Sequence, residues 1–246
     1  MHSLTRWLAI GTVAVLGICL PPISRAQTAA PSAPPKAGAG SSTGDQADLP
    51  IYRPPLRGAP AGRLGAATRG GTAAVSTLDV MAPDHVGLTR QEQPTLYWFA
   101  ASPIAVRLQL TLVSEDAEKP LIEVDLRPAL GAGIHAFRLA DTKAKLQIDR
   151  EYEWSVAAIV DPAARSKDEI ASGVIERVAG QAGSPTDLAA ATRAYASDGI
   201  WYDAFDAASR DVDRNPRDPR AHLRRAALLD QVGLKTAAAF ERGLAK

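Results

Sequence analysis

The sequence predicts a β-plus-α chain in which a β-sandwich precedes a small antiparallel helical tail. Two observations predict it. Hydrophobic alternation of period two recurs between about residues 75 and 180, and the pattern turns helical after the glycine-marked break at residues 180–183. Composition sets the frame: 246 residues, 46% hydrophobic and 22% charged, suffice for one or two domains.

Residues 1–26 have the three parts of a secretory signal: Arg6 as positive flank, an apolar run from Leu8 to Leu20, and small residues Ser24 and Ala26 around a cut after Ala26. The run is thirteen residues long, whereas a bilayer core needs roughly twenty, and Pro21 and Pro22 end it. The expectation is a cleaved leader, a periplasmic or secreted product, and no stable membrane insertion afterwards. Cys19, the single cysteine, follows Leu16-Gly17-Ile18, and the bulky Ile18 argues against lipidation. Cys19 leaves with the leader. The mature chain then has no thiol, which excludes disulfides, thiolate metal sites and cysteine nucleophiles.

From residue 27 to 50 the chain is Ala, Pro, Gly and Ser with almost no large apolar side chain, the composition of a disordered tether. Gly40-Ser41-Ser42-Thr43-Gly44 satisfies the G-x-S-x-G pattern there, but no strand precedes it and no helix follows. Residues 51–74 form an Arg/Gly/Pro-rich arm. Arg53, Arg57, Arg63 and Arg69 give it a charge of +4, because no acid lies between Asp48 and Asp79. The arm is either a second linker or a segment that docks on an anionic partner, since guanidinium groups fork onto carboxylate or phosphate. It could equally fold onto its own body, which is acidic once the arm is set aside.

Residues 75–180 hold seven strand candidates: Leu78 to Met81, Thr95 to Phe99, Val106 to Leu112, Ile122 to Leu126, Gly133 to Leu139, Tyr152 to Ala158 and Ile170 to Val178. Turn signals at Pro83-Asp84, Ser102-Pro103, Lys119-Pro120, Gly131 to Gly133 and Asp161-Pro162 separate them. So many short strands in about one hundred residues point to an immunoglobulin-like or fibronectin-like sandwich, with Trp154 as the core anchor. Tyr97, Trp98 and Phe99 alternate in direction. One face should be core; the other is a sugar-stacking platform, a cover for the basic arm, or the seat of the tail.

Residues 184–246 repeat. Pro185 and Pro219, Gly199 and Gly233, and Ala204 and Ala238 are each separated by thirty-four residues. With Tyr195, Trp201 and Asn215-Pro216 in the first copy, the tail resembles tetratricopeptide repeats. Two units are fewer than the three usually needed to stand alone, so the tail should pack on the sandwich. If it follows that resemblance, it binds a peptide in a groove that includes Arg193 and Arg220, with Asp230 nearby, and the groove favours an acidic peptide.

Longer motifs tie these segments together. Tyr52-Arg53-Pro54-Pro55, Arg57-Gly58-Ala59-Pro60, Thr68-Arg69-Gly70, Ala82-Pro83-Asp84-His85, Gln91 to Trp98, Arg165-Ser166-Lys167-Asp168, Ala171-Ser172-Gly173, Ile175-Glu176-Arg177 and Gly199-Ile200-Trp201-Tyr202-Asp203 resemble the DUF928 family of secreted bacterial proteins. The resemblance implies no activity and carries over no catalytic residue.

No motif announces chemistry. The balance of 28 basic and 27 acidic residues excludes a general nucleic-acid binder. The mature histidines are His85, His135 and His222. His85 with Asp84 and Glu92 is the nearest approach to a hydrolase cluster, but Pro83 to Gly87 reads more simply as a turn in which Asp84 bonds the backbone and Gly87 takes a positive φ. His135 shares its face with Phe137 and Leu139, as a core or edge histidine, and His222 lies beside Arg224 and Arg225 on a solvated basic face. No cofactor or metal is expected. The leading expectation is a non-catalytic interaction protein of the bacterial envelope with a protein partner, contacted by Arg53, Arg57, Arg63, Arg69, Arg193 and Arg220. A carbohydrate or envelope-binding module using Tyr97, Trp98 or Trp154 is the alternative, and a hydrolase is third.

Overall fold

A computed structural model describes residues 48–55, 78–114, 116–126, 130–181 and 183–246. The leader, the G-x-S-x-G match, the tether as far as residue 47, and Arg57, Arg63 and Arg69 lie outside the described residues.

All seven expected strands form. In chain order they are β1 (Leu78–Val80), β3 (Thr95–Ala100), β4 (Arg107–Ser114), β5 (Ile122–Leu126), β6 (Gly133–Arg138), β7 (Glu151–Ile159) and β8 (Glu169–Arg177); an eighth, β2 (Gly87–Thr89), joins them. They build two sheets, β1-β3-β6 and β2-β8-β7-β4-β5. Pairing is antiparallel except where β2 runs parallel to β8. The period-two pattern sets the register: Leu108, Leu110 and Leu112 of β4 lie opposite Ala158, Val156 and Trp154 of β7, and all six are buried. At Gly173 of β8 a Cβ would sit 2.5 Å from Ala82 Cβ, so the missing side chain lets the segment after β1 approach the larger sheet.

The tail forms four helices: α1 (Leu188–Ser197), α2 (Trp201–Arg214), α3 (Pro219–Gln231) and α4 (Lys235–Leu244). Asp187 and Asp218 start α1 and α3 by accepting backbone N–H bonds from Ala190 and Arg220. The thirty-four-residue repeat is visible in the backbone. Gly199 and Gly233 end α1 and α3 with φ of 76° and 78°, and the next residues, Ile200 and Leu234, donate 2.9 Å bonds back to Tyr195 and Leu229. Ala204 and Ala238, five residues beyond each glycine, are fully buried.

The tail packs on the sandwich. Tyr97 and Phe99 of β3 point at the helices, with ring centroids 5.3 Å from Phe205 and 5.5 Å from Phe240. Tyr202 joins the layers: its hydroxyl accepts from Trp154 Nε1 at 2.9 Å and donates to the Val174 carbonyl at 3.0 Å. Trp201 Nε1 donates to the Met81 carbonyl. Gly87 does not take the expected positive φ. It instead makes room for Tyr202, whose Cε2 would lie 2.5 Å from a Cβ.

Candidate functional site

Residues 48–55, which we call the strap, lie along the helical tail. Asp48 accepts from Arg193 of α1 and, at 2.6 Å, from Arg224 Nη1 of α3. Arg224 spends its other terminal nitrogen on Asp211 at 2.6 Å. Burial works against the Arg224 charge, but Asp211 and Asp48 outweigh it and hold its pKa above the usual arginine value. Gln231 then grips the strap's main chain, donating to the Pro50 carbonyl at 3.0 Å and accepting from Tyr52 N–H at 2.9 Å. The Arg53 N–H donates to the Ala196 carbonyl at the end of α1. Gly199 permits this approach, because a Cβ there would sit 2.6 Å from the Arg53 carbonyl oxygen.

Tyr52 anchors the strap. Its ring meets Trp201 edge-on at 5.0 Å and its hydroxyl lies 2.8 Å from His85 Nε2, whose Nδ1 lies 3.1 Å from Asp84. The Tyr52 pKa is raised, first by burial and then by the Asp84 charge. Asp84, His85 and a hydroxyl are thus aligned, but the hydroxyl is a buried phenol held further from ionisation, the opposite of an activated nucleophile. Glu92 takes no part; Lys145 and Arg177 lie 3.2 and 3.8 Å from it. Asp84 bonds the His85 ring, and among the described residues it makes no side-chain bond to the backbone that the turn reading gave it.

Beside the strap an open cleft of about 180 Å³ runs along α3. Leu223, Ala226 and Ala227 supply its apolar lining and Arg220, Asp230 and Arg242 its charges, while Asp48 and Leu49 contribute from the strap. Arg242 bonds Asp230.

The expected contact residues separate into three groups. Arg193, Arg220 and Asp230 gather around Asp48 and the cleft, but Arg193 is engaged by the chain's own Asp48, so the acidic group in reach of the groove is internal. Arg53 keeps an exposed side chain and, among the described residues, bonds through its backbone. Arg57, Arg63 and Arg69 lie outside the described residues. Asp48, Leu49 and Pro50, read as the end of a disordered tether, are held on the helices, with Pro50 buried.

His222, Arg224 and Arg225 do not form a solvated basic face; all three are buried. The fully buried Glu241 of α4 lies 2.9 Å from His222 Nδ1 and 2.7 Å from Arg225 Nη2, and Asp211 and Asp48 serve Arg224. Counter-charges from other elements make that burial tolerable, and sequence neighbours do not reveal them. Tyr97, Trp98 and Trp154 are also buried, so none offers a face for sugar stacking. His135 is the edge histidine expected, with Nε2 2.8 Å from the Gly131 carbonyl and its ring 5.7 Å from Trp98.

Asp48, Tyr52, Arg224 and Gln231 are the site residues that sequence reasoning missed. The available signal was Leu49, Ile51 and Tyr52, large apolar residues that break an otherwise small-residue run. A search of curated proteins gives no match. The family described as Domain of Unknown Function (DUF928) matches residues 64–241, which takes in both sheets and nearly all of the tail and begins after the strap. The chain belongs to the DUF928 family.

Proposed function

We propose that this protein is a non-catalytic interaction protein of the bacterial envelope, periplasmic or secreted, that binds a protein partner through the helical face beside the strap. The cleft carries the reading. An apolar lining with a few charged groups at its margin is the usual make-up of a recognition site, and it adjoins a face that already holds one extended stretch of chain. The tail's resemblance to tetratricopeptide units supports a peptide as ligand. The leader supports the location, and no helix among the described residues is long and apolar enough to cross a membrane. The engagement of His85 by a buried phenol supports the non-catalytic part.

The test is capture of the partner from a periplasmic extract by wild type and by the double variant Arg220→Glu, Arg242→Glu. Both substitutions lie at the cleft, and Arg193 is spared because it holds the strap. Loss of capture is expected; undiminished capture would sink the assignment of the cleft.

A further inference from the structure

We propose that the strap is a resident ligand of the helical face, and that the external partner is an extended peptide with a carboxylate four residues before an aromatic ring, which binds when the strap is displaced. The inference rests on the reading that this face binds a partner, and it extends the partner's footprint from the α3 side of the cleft, Arg220, Leu223 and Asp230, onto the contacts the strap now occupies.

Recognition of the strap divides into three parts. The first is a carboxylate clamp: Arg193 and Arg224 come from different helices and converge on the two oxygens of Asp48. Arg224 is buried, its Nε has no hydrogen-bond partner among the described residues, and its Nη2 bonds Asp211 at 2.6 Å and lies 3.7 Å from Asp218. Without the strap, Arg193 and Nη1 of Arg224 lose the acid they share, and an acidic group at the Asp48 position restores it. The second part is a backbone grip. Gln231 bonds the Pro50 carbonyl and the Tyr52 N–H, as a neighbouring β-strand would, and the Ala196 carbonyl takes the Arg53 N–H. Those bonds are made to main chain, so they would accept any extended peptide able to supply the same groups. The third is an aromatic slot, where the Tyr52 and Trp201 rings pack T-shaped and His85 meets the Tyr52 hydroxyl.

None of these contacts depends on covalent continuity with the rest of the chain. Pro50, Pro54 and Pro55 restrict the strap to extended conformations, which lowers the ordering cost of laying it down. Release would begin at the acidic end of the strap: the Asp48 side chain keeps 34% of its surface exposed, whereas Pro50 and Tyr52 are buried, so displacement is a local opening that starts at Asp48 and must draw the Tyr52 ring out last. Tethered in cis, the strap competes at an effective concentration in the millimolar range. A peptide making the same contacts in trans must outcompete it, so its apparent affinity for wild type is cut by the fraction of chains whose face is open.

The experiment uses the full mature chain and a fluorescein-labelled nine-residue peptide with the sequence of residues 47–55, read by anisotropy. The double variant Asp48→Ala, Tyr52→Ala weakens the resident strap and should bind the probe about tenfold more tightly than wild type does. A probe in which lysine replaces the aspartate should bind neither. A folded variant that fails to bind the probe, or equal binding by variant and wild type, overturns the proposal. Should the double variant not fold, Asp48→Asn keeps the side-chain shape and the Tyr52 packing while losing the charge; about a threefold gain is expected, and no gain overturns the proposal equally. Failure here with partner capture still lost in the Arg220→Glu, Arg242→Glu variant would leave the cleft assignment standing and remove only the mimicry.

Discussion

Gly199 and Gly233 occupy equivalent places in the two halves of the tail, and the difference between alanine substitutions at them measures the strap. Their φ values, 76° and 78°, are nearly the same, so each alanine incurs the same left-handed penalty of roughly 1–2 kcal/mol. Their surroundings differ. Among the described residues a Cβ at Gly233 meets nothing within 4 Å, whereas at Gly199 it would lie 2.6 Å from the Arg53 carbonyl oxygen and 3.4 Å from Pro55 Cδ. Backbone cannot yield as a flexible side chain can, so overpacking adds about 1–3 kcal/mol at Gly199 unless the strap lifts away. Urea unfolding of the two variants should therefore separate them by about 1–3 kcal/mol. If the strap lifts instead, the stability gap narrows, and amide exchange at Tyr52 and Arg53 should quicken in Gly199→Ala alone. Equal stability together with unchanged exchange at those two amides would refute the placement of the strap.

Three further outcomes follow from buried polar groups. Tyr202→Phe removes the hydroxyl between Trp154 Nε1 and the Val174 carbonyl and should cost about 2–4 kcal/mol; tryptophan fluorescence and helical circular dichroism should shift together in denaturant, and separation of the two would contradict a shared core. Glu241→Ala strands the buried Arg225 and His222 and should cost about 3–5 kcal/mol, as a calorimetric melt would show; a loss below about 1 kcal/mol would mean the pair is solvated. Asp203 has its pKa raised, mainly by burial, against the opposing bonds from Thr89 and Arg90. The folded state therefore holds the proton more tightly than the unfolded chain, and stability should fall as pH rises from the ordinary aspartate value of 3.8 through the folded one. Comparing Asp203→Asn with wild type across that window should show wild type losing ground as pH rises; a gap that widens in favour of wild type would reverse the assignment.

The strands were legible because half-buried strands write alternation into sequence, as in Val106 to Leu112. β2 was not, since Gly87, Leu88 and Thr89 are all buried and three residues carry no period. The helix ends were legible from Gly199, Gly233 and the Asp218-Pro219 pair, whose local chemistry decides the conformation. The site was legible only in part. Arg193, Arg220 and Asp230 were found by position in the repeat, but the acid that Arg193 and Arg224 share lies 145 and 176 residues away along the chain. Pairing between helices hid the burial of His222 and Arg225, whose counter-charge Glu241 lies 19 and 16 residues further on. Tyr97 and Phe99 showed alternation, which offered the seat of the tail as one of three uses for their face without choosing it; the rings of Phe205 and Phe240 make it that seat.

Photo-crosslinking in intact cells tests the central claim most directly. A photoreactive residue at Leu223, inside the cleft, should give one discrete adduct with a partner protein, and the Arg220→Glu, Arg242→Glu background should abolish it. The same residue at Glu123, exposed on β5, should give none. Adducts from Glu123 and none from Leu223, or a Leu223 adduct that survives both charge reversals, would contradict the assignment of partner binding to the helical face.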